Sequence, residues 1–253
     1  KRFAVIADEL TRQGIIVLRV DDRALGKSTG NFSKATSEDF AVDAGCGLDY
    51  LLSRPEVNKK KTGLIGHSEG GMIAPMVAVK RKEVNFIILL AGPGVDITEL
   101  MAEQNAAVLR ASGVSAETVE KVKPLYSLYT NMFLEATSTK AALDSAIQML
   151  EGWAAKTDKA TLEELDFATP AKRKTYLMQM ALQMQTPWFR YFMKFRPGPY
   201  LEKLRCKVLA LNGSRDVQVI SSQNLGGIEQ ALKKSKVLDP KTVHFAVIFI
   251  IYL

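Results

Sequence analysis

Apolar positions in the first part of the chain alternate between helical spacing and short continuous runs. Phe3, Ile6, Ala7 and Leu10 recur as one face of a helix, whereas Ile15–Val20 is a short apolar, largely β-branched run that includes Arg19 and ends at two aspartates. Such runs are typical of strands buried on both faces of a parallel sheet. Helices are predicted at 3–12, from Ser37 to the residue before Pro55, and at about 70–82; strands are predicted at 15–20, 62–66 and 86–90.

The second part of the chain departs from this alternation and then returns to it. Apolar residues from about Thr98 to Gln185 fall at helical spacing, and a strand signal resumes at Cys206–Leu211. Strand, helix and strand in succession indicate right-handed βαβ units and a parallel sheet. We therefore predict an α/β fold, a mostly parallel sheet with flanking helices and an inserted helical cap. The core is assigned to 1–97 and 186–253, and the cap to 98–185.

Composition excludes several classes of protein. The 253 residues are 47% hydrophobic and 24% charged, which argues against disorder and against a coiled coil. Two Cys and two His exclude a disulfide scaffold and disfavour metal centres, so no metal or cofactor is expected. The longest apolar run, Phe245–Leu253, is about half of what a membrane span requires. These features predict a soluble protein without a membrane span, in a compartment and oligomeric state that the sequence leaves open.

The net charge of +7 does not by itself indicate a nucleic-acid partner. It is the difference between 34 basic and 27 acidic residues, and the basic residues are scattered along the chain. Their densest run, Lys59–Lys61, lies between a predicted helix and a predicted strand. We interpret it as a solvated loop and expect no nucleic-acid binding.

The strongest chemical motif is Gly66-His67-Ser68-Glu69-Gly70-Gly71. It matches G-x-S-x-G between a predicted strand and a predicted helix, the setting in which this pattern forms a nucleophile elbow. The turn is so tight that side chains at Gly66 and Gly70 are expected to collide with neighbouring backbone. Ser68 is then the candidate nucleophile, and the backbone N–H of Glu69 is the candidate oxyanion donor.

A nucleophilic serine needs a base and an acid that orients it. Asp216 follows the predicted strand at 206–211, so its carboxylate is expected at the same sheet edge as Ser68. His244 is the candidate base, although the residues around it are themselves typical of a strand. His67 lies inside the elbow and cannot readily fold back onto the neighbouring hydroxyl, so local packing is expected for it.

These motifs together resemble the α/β-hydrolase superfamily. The similarity is carried by Gly66–Gly71, by Asp21–Ser28 before it and by Asn212–Asp216 after it, and it covers roughly residues 1–235. More narrowly, the chain resembles bacterial EstD-like esterases, relatives of the serine aminopeptidases. The resemblance implies Ser68 as nucleophile, Asp216 as acid and the Glu69 amide as one oxyanion donor.

Three departures from that family bear on activity. Its first strands and oxyanion loop have no counterpart before Phe3, its Asp-Arg-Gly turn is Arg23-Ala24 here, and its C-terminal Asn-His loop is absent after Lys236. These departures indicate a family member truncated or frameshifted at both ends. Two classes of function therefore stay open: an active enzyme, and a hydrolase fold that has lost part of its active site.

The favoured function is cleavage of a small acyl ester through an acyl-enzyme on Ser68. An aminopeptidase or a thioesterase on the same machinery is the alternative, because the fold does not fix the leaving group. An aminopeptidase is expected to need an acidic cap residue, for which Glu163, Glu164 and Asp166 are candidates. The soft and aromatic residues between Met178 and Phe195 either line an acyl pocket or pack the cap.

Overall fold

The computed structural model describes residues 2–235 and 243–248 and folds them into helices around a small sheet. The helices are α1 (Arg2–Arg12), α2 (Ser37–Ser53), α3 (Gly70–Ala78), α4 (Ile97–Ala111), α5 (Ala116–Glu135), α6 (Thr139–Ala154), α7 (Lys159–Glu164), α8 (Pro170–Gln183), α9 (Pro187–Met193), α10 (Gly198–Leu201) and α11 (Ser221–Lys233). The strands are β1 (Gly63–His67), β2 (Phe86–Leu90), β3 (Lys207–Gly213) and β4 (Val243–Ile248), with a 3-10 turn at Lys59–Lys61.

The four strands form one parallel sheet in the order β1-β2-β3-β4. His67 pairs with Leu90, and Leu90 pairs with Leu211, so the first three strands end side by side. Because all strands run in the same direction, the segments that follow them meet at one edge of the sheet. The elbow after β1 and the turn after β3 therefore share an edge.

Between β2 and β3 the chain is helical, as the spacing of apolar residues predicts. Among the described residues, no strand occurs between Leu90 and Lys207. One hydrophobic core runs through both regions, since fully buried Met72 and Ile87 of the sheet region belong to the same cluster as Tyr129 and Leu177 of the helices. Burial of this apolar surface is the main stabilising contribution to the fold.

A buried arginine links two of the helices that lie between β2 and β3. The Arg173 side chain in α8 is only 8% exposed and pairs with Glu151 of α6. Its Nε donates to Glu151 Oε1 at 2.8 Å, and its Nη1 donates to the Phe167 carbonyl at 2.6 Å. The hydrogen bond from Arg173 lowers the pKa of the Glu151 carboxyl.

The strand predicted at 15–20 is not formed, so that prediction is wrong. These residues are irregular, and Ile15, Ile16 and Val20 are 48%, 54% and 65% exposed. A strand requires a hydrogen-bonded neighbour as well as an apolar sequence, and no described strand pairs with this segment. An apolar run favours burial, but it forms a strand only when another strand pairs with it. Among the described residues, no strand pairs with 15–20.

The turn that follows this segment is held onto α2 by Arg23. The guanidinium pairs with Asp43 at 2.5 Å and with Asp39 at 3.3 Å. The next residue, Ala24, has φ of 60°, a left-handed conformation that favours glycine. The sequence thus carries alanine at a position whose backbone conformation favours glycine.

None of the helices in the described ranges is both long enough and apolar enough to cross a membrane.

Candidate active site

Ser68 occupies a sharp turn between β1 and α3. Its φ of 53° lies in the left-handed region, which non-glycine residues rarely adopt and which is a mark of strain at functional turns. The Ser68 amide donates to the Leu90 carbonyl at 2.9 Å, and the Gly71 amide donates back to the Ser68 carbonyl at 2.8 Å. These two bonds fix the turn to the end of β2 and to the first turn of α3.

Two glycines, Gly66 and Gly71, make this turn sterically possible. The sequence predicted Gly66 and Gly70 instead. A Cβ at Gly66 would lie 1.9 Å from the Gly70 carbonyl oxygen, so the predicted collision is confirmed there. At Gly70 a Cβ would meet no atom within 4 Å outside its own helix, so the predicted collision at Gly70 is wrong. The second crowded position is Gly71, where a Cβ would lie 2.5 Å from Gly92 Cα. The loop after β2 is thereby packed directly against the start of α3.

The backbone amide of Glu69 lies at the start of helix α3, next to the nucleophile. It is the N-cap residue of α3, with φ of −54° and ψ of −34°. Within the described part of the chain, its amide N–H makes no hydrogen bond, as the first amides of a helix commonly do not. Such a donor at the positive end of a helix can stabilise an oxyanion formed on Ser68.

The Glu69 carboxylate is held by two side chains from distant parts of the sequence. Its Oε1 accepts from Ser37 Oγ at 2.6 Å and from Trp188 Nε1 at 2.8 Å. Ser37 opens α2 and is fully buried, while Trp188 lies in α9. Sequence reasoning missed both residues, because no local pattern places positions 37, 69 and 188 side by side.

Asp216 lies three residues beyond the end of β3, at the same sheet edge as the elbow. Its Oδ1 accepts backbone N–H groups from Gln218 at 2.9 Å and from Val219 at 3.0 Å. Two strand spacings separate β1 from β3, which places the two segments roughly 10 Å apart across the sheet. The Asp216 carboxylate is therefore held in the turn after β3, at the sheet edge that also carries Ser68.

Neither histidine of the chain is placed against the Ser68 hydroxyl. The His67 ring packs edge-on against Phe3, with 5.6 Å between ring centroids, which agrees with the expected local packing. His244 is exposed within β4 and pairs with Leu209 in the middle of β3. Three strand spacings and three residues along the strands separate its Cα from that of Ser68, roughly 17 Å in all. The structure thus does not bring the predicted base to the nucleophile, since a residue in mid-strand cannot reach the sheet edge.

The acidic residues proposed for amine recognition already have partners. Glu164 accepts from Ser115 Oγ at 2.8 Å, Glu163 pairs with Lys159 at 3.4 Å, and Asp166 pairs with Lys172. These pairings leave no unpartnered carboxylate among the three. In the described ranges, no group of three or more His, Cys, Asp or Glu side chains is arranged to hold a metal ion.

Some of the soft and aromatic residues between Met178 and Phe195 are buried, and others lie at the surface. Met193 and Phe195 are buried in the core, whereas Met178 is half exposed. A hollow of about 500 Å³ opens beside α9, and its lining does not include Ser68 or Asp216. The residues that line it are Thr36, Pro187, Arg190, Tyr191, Lys194, Phe195, Arg196, Pro199 and Tyr200.

Known proteins share parts of this sequence and this fold. A Rickettsia prowazekii protein, RP471, is 33% identical over 84 residues, which is 33% of this chain and 34% of the Rickettsia protein. The chain thus spans about a third of the relative's length. An esterase of Pyrococcus furiosus superposes with a TM-score of 0.52 at 17% identity, covering 97% of this chain and 64% of the esterase. An acylaminoacyl peptidase of Pyrococcus horikoshii gives a TM-score of 0.41 at 12% identity, covering 86% of this chain and 24% of the peptidase.

The structural similarity to the esterase establishes the fold, and the sequence establishes the family. The family model described as serine aminopeptidase, S33 (Hydrolase_4), matches residues 1–165, which is more than half of the chain and includes the whole elbow. The α/β class predicted from the alternation of elements is therefore confirmed. The chain belongs to the serine aminopeptidase S33 family of α/β hydrolases.

Proposed function

We propose that this chain is a serine hydrolase that cleaves carboxylic esters through an acyl-enzyme on Ser68. The observation that carries the proposal is the left-handed backbone of Ser68, with φ of 53°, at the turn from β1 into α3. A strained serine at a strand-to-helix turn presents its hydroxyl above the sheet edge and beside the first helical amides.

The reaction follows from the groups at this edge. Ser68 Oγ forms a bond to the acyl carbon as its proton passes to a general base, and the carbonyl electrons move onto oxygen. The Glu69 amide N–H donates to that oxyanion. When the tetrahedral intermediate collapses, the ester C–O bond breaks and the alcohol leaves with the proton. Water then repeats the sequence on the acyl-enzyme and releases the acid.

Asp216 is proposed as the carboxylate that orients the base. Its Oδ1 is fixed by the backbone amides of Gln218 and Val219, so the carboxylate cannot turn freely. A fixed carboxylate holds an imidazole in one tautomer and stabilises the imidazolium that forms in the transition state. The sequence offers His244 for that imidazole, and the placement of His244 in β4 is what the experiment below addresses.

Esters are favoured over peptides by the pairing of the three acidic residues that the sequence suggests for amine recognition. An aminopeptidase has to recognise a free ammonium group, and a carboxylate without a partner is the usual means. Glu163, Glu164 and Asp166 each have a partner within the insertion. An uncharged acyl ester needs no such group.

The decisive experiment is labelling of the purified chain with a fluorophosphonate, which reacts only with an activated serine. We expect Ser68→Ala to abolish labelling, while Ser53→Ala, a change at the end of α2, labels like the wild type. Asp216→Asn keeps an oxygen acceptor for the two backbone amides but removes the charge, so we expect a folded protein with at least tenfold slower labelling. Labelling that persists in Ser68→Ala would refute the assignment of the nucleophile.

A second candidate function is a hydrolase fold with impaired turnover, and the position of His244 favours it. A base roughly 17 Å from the nucleophile cannot take its proton. In an impaired hydrolase, His244→Ala and His67→Ala leave any residual labelling unchanged, whereas the ester hydrolase proposed above requires His244→Ala to slow labelling as Asp216→Asn does. Loss of labelling in His244→Ala alone would show that β4 brings this histidine to Ser68 in solution. A folded wild-type chain that does not label would support the impaired hydrolase and exclude the ester hydrolase.

A further inference from the structure

Apart from the nucleophile, two side chains of the elbow contact other parts of the fold: His67, which packs on Phe3, and Glu69. Of the four residues from Ser68 to Gly71, only Ser68 and Glu69 have side chains. Gly70 and Gly71 have no side chain with which to hold the turn, and a Cβ at Gly71 would lie 2.5 Å from Gly92 Cα. From Ser68 onward, side chains from distant parts of the sequence therefore act on the turn through the Glu69 carboxylate.

That carboxylate has two donors with fixed directions. Ser37 is fully buried at the start of α2 and donates to Glu69 Oε1 at 2.6 Å. Trp188 donates to the same oxygen at 2.8 Å. Hydrogen bonds to an ionised acceptor are among the stronger ones in proteins, and two on one oxygen define its position.

The indole of Trp188 is itself immobilised by its neighbours. It stacks on the Phe192 ring, with 5.3 Å between centroids and 15° between planes, and contacts the Phe189 ring at 5.9 Å. The same helix is tied to α5, because Arg190 donates to the Phe133 and Leu134 carbonyls at 3.3 Å and 3.1 Å. Helix α9 thus contacts α5 through Arg190 and the elbow through Trp188.

We infer that Trp188 and Ser37 are positioning residues for the oxyanion donor: they hold the Glu69 side chain and so fix the backbone N–H of Glu69 beside Ser68. The inference rests on the proposed function, because it assigns these residues to the same acyl-transfer step. Neither residue touches the reacting atoms. The Glu69 amide stabilises the oxyanion mainly in the transition state. Substitution of Trp188 or Ser37 should therefore lower kcat and leave KM nearly unchanged.

The test is steady-state hydrolysis of a p-nitrophenyl ester by the full chain and its variants. Trp188→Phe keeps an aromatic ring for Phe192 and removes the N–H, and Ser37→Ala removes the hydroxyl. Loss of a whole oxyanion donor costs about 10²- to 10³-fold in kcat, so a misdirected donor should cost less. We expect about a tenfold fall in kcat for each variant with KM within about twofold of the wild type.

Three further variants separate positioning from packing. Glu69→Ala should lose kcat like the two variants above, and Glu69→Gln, which keeps an acceptor oxygen, should recover most of that loss. In the Glu69→Ala background, adding Trp188→Phe should change kcat no further, since the two act through one contact. Trp153→Phe, at the other tryptophan of the chain, is the matched control and should leave kcat unchanged.

The outcomes distinguish this inference from the proposed function. A folded wild-type chain that neither labels nor hydrolyses overturns the proposed function and the inference with it. An active wild type in which Trp188→Phe and Ser37→Ala keep the wild-type kcat overturns the inference alone. A loss in Trp188→Phe that persists undiminished in the Glu69→Ala background assigns Trp188 to packing and also overturns it.

Discussion

At the scale of single residues, the elbow depends on which glycine lacks room for a side chain. Gly66 faces the Gly70 carbonyl oxygen, with 1.9 Å available to a Cβ, whereas Gly70 itself faces open space outside its helix. Both glycines belong to the G-x-S-x-G pattern, yet only one is required by sterics. The sequence pattern alone does not show which glycine is required, because that depends on the direction in which α3 leaves β1.

We therefore predict opposite effects for two alanine substitutions. Gly66→Ala forces the turn open, and overpacking of this kind typically destabilises a protein by about 1–3 kcal/mol. It should also displace Ser68 and abolish fluorophosphonate labelling. Gly70→Ala removes a flexible residue from the first turn of α3 and should stabilise the fold by about 0.5–1 kcal/mol. Urea denaturation of the two variants measures both effects, and equal midpoints for them would contradict the explanation.

The side-chain contacts of Glu69 mark the limit of sequence reasoning at this scale. Glu69 was identified only through its backbone, as the residue after the nucleophile. Its partners Ser37 and Trp188 are 32 and 119 positions away, and nothing local to either residue signals the contact. Such contacts arise from the packing of three helices, so they become visible only with the fold.

At the scale of elements, the pattern of apolar residues predicts helices and the strands β1 and β2 correctly, but it does not predict which segments pair as strands. The predictions for α1, α2, β1 and β2 agree with the observed elements to within one or two residues. The predicted strand at 15–20 failed, because pairing is a property of neighbours rather than of the run itself. His244 illustrates the same limit, since its segment does form a strand and thereby withdraws the residue from the sheet edge.

The ion pair between Glu151 of α6 and Arg173 of α8 makes the stability of the fold depend on pH. The Glu151 pKa is lowered in the folded protein by the hydrogen bond from Arg173. A lowered carboxyl pKa stabilises the fold above the ordinary carboxyl range, and that stability is lost as the pH falls through the range. Because Arg173 is 8% exposed, protonation of Glu151 leaves a nearly buried cation with a weaker partner.

We expect Glu151→Gln to cost about 1–2 kcal/mol near neutral pH and to flatten the fall in stability between about pH 5 and pH 3. Denaturant unfolding at several pH values measures the difference. Asp8→Asn is the matched control, because the Asp8 and Arg12 side chains are 65% and 71% exposed. That variant should keep the wild-type pH dependence, since exposed pairs contribute little. A Glu151→Gln profile parallel to the wild type would count against the assignment.

At the scale of the whole molecule, exposed apolar side chains concentrate in the N-terminal part. Among the described residues, ten of the fifteen exposed large hydrophobics lie between Phe3 and Ile65. Ile65 belongs to β1, which has a neighbour on one side only within the described sheet. An outer strand with an exposed apolar side chain and free backbone groups is a site for strand addition and self-association.

We predict that this edge, rather than apolar exposure in general, drives self-association of the chain. Ile65 and Val108 are both 41% exposed, but Ile65 lies in the outer strand and Val108 lies on helix α4. A lysine at an outer strand disfavours pairing through its charge, and the net charge of +7 adds repulsion between copies. Ile65→Lys should therefore lower the apparent mass at high protein concentration in light scattering, and Val108→Lys, with the same change in charge, should not. An equal decrease in both variants would mean that charge alone keeps the copies apart and that the β1 edge has no special part in it.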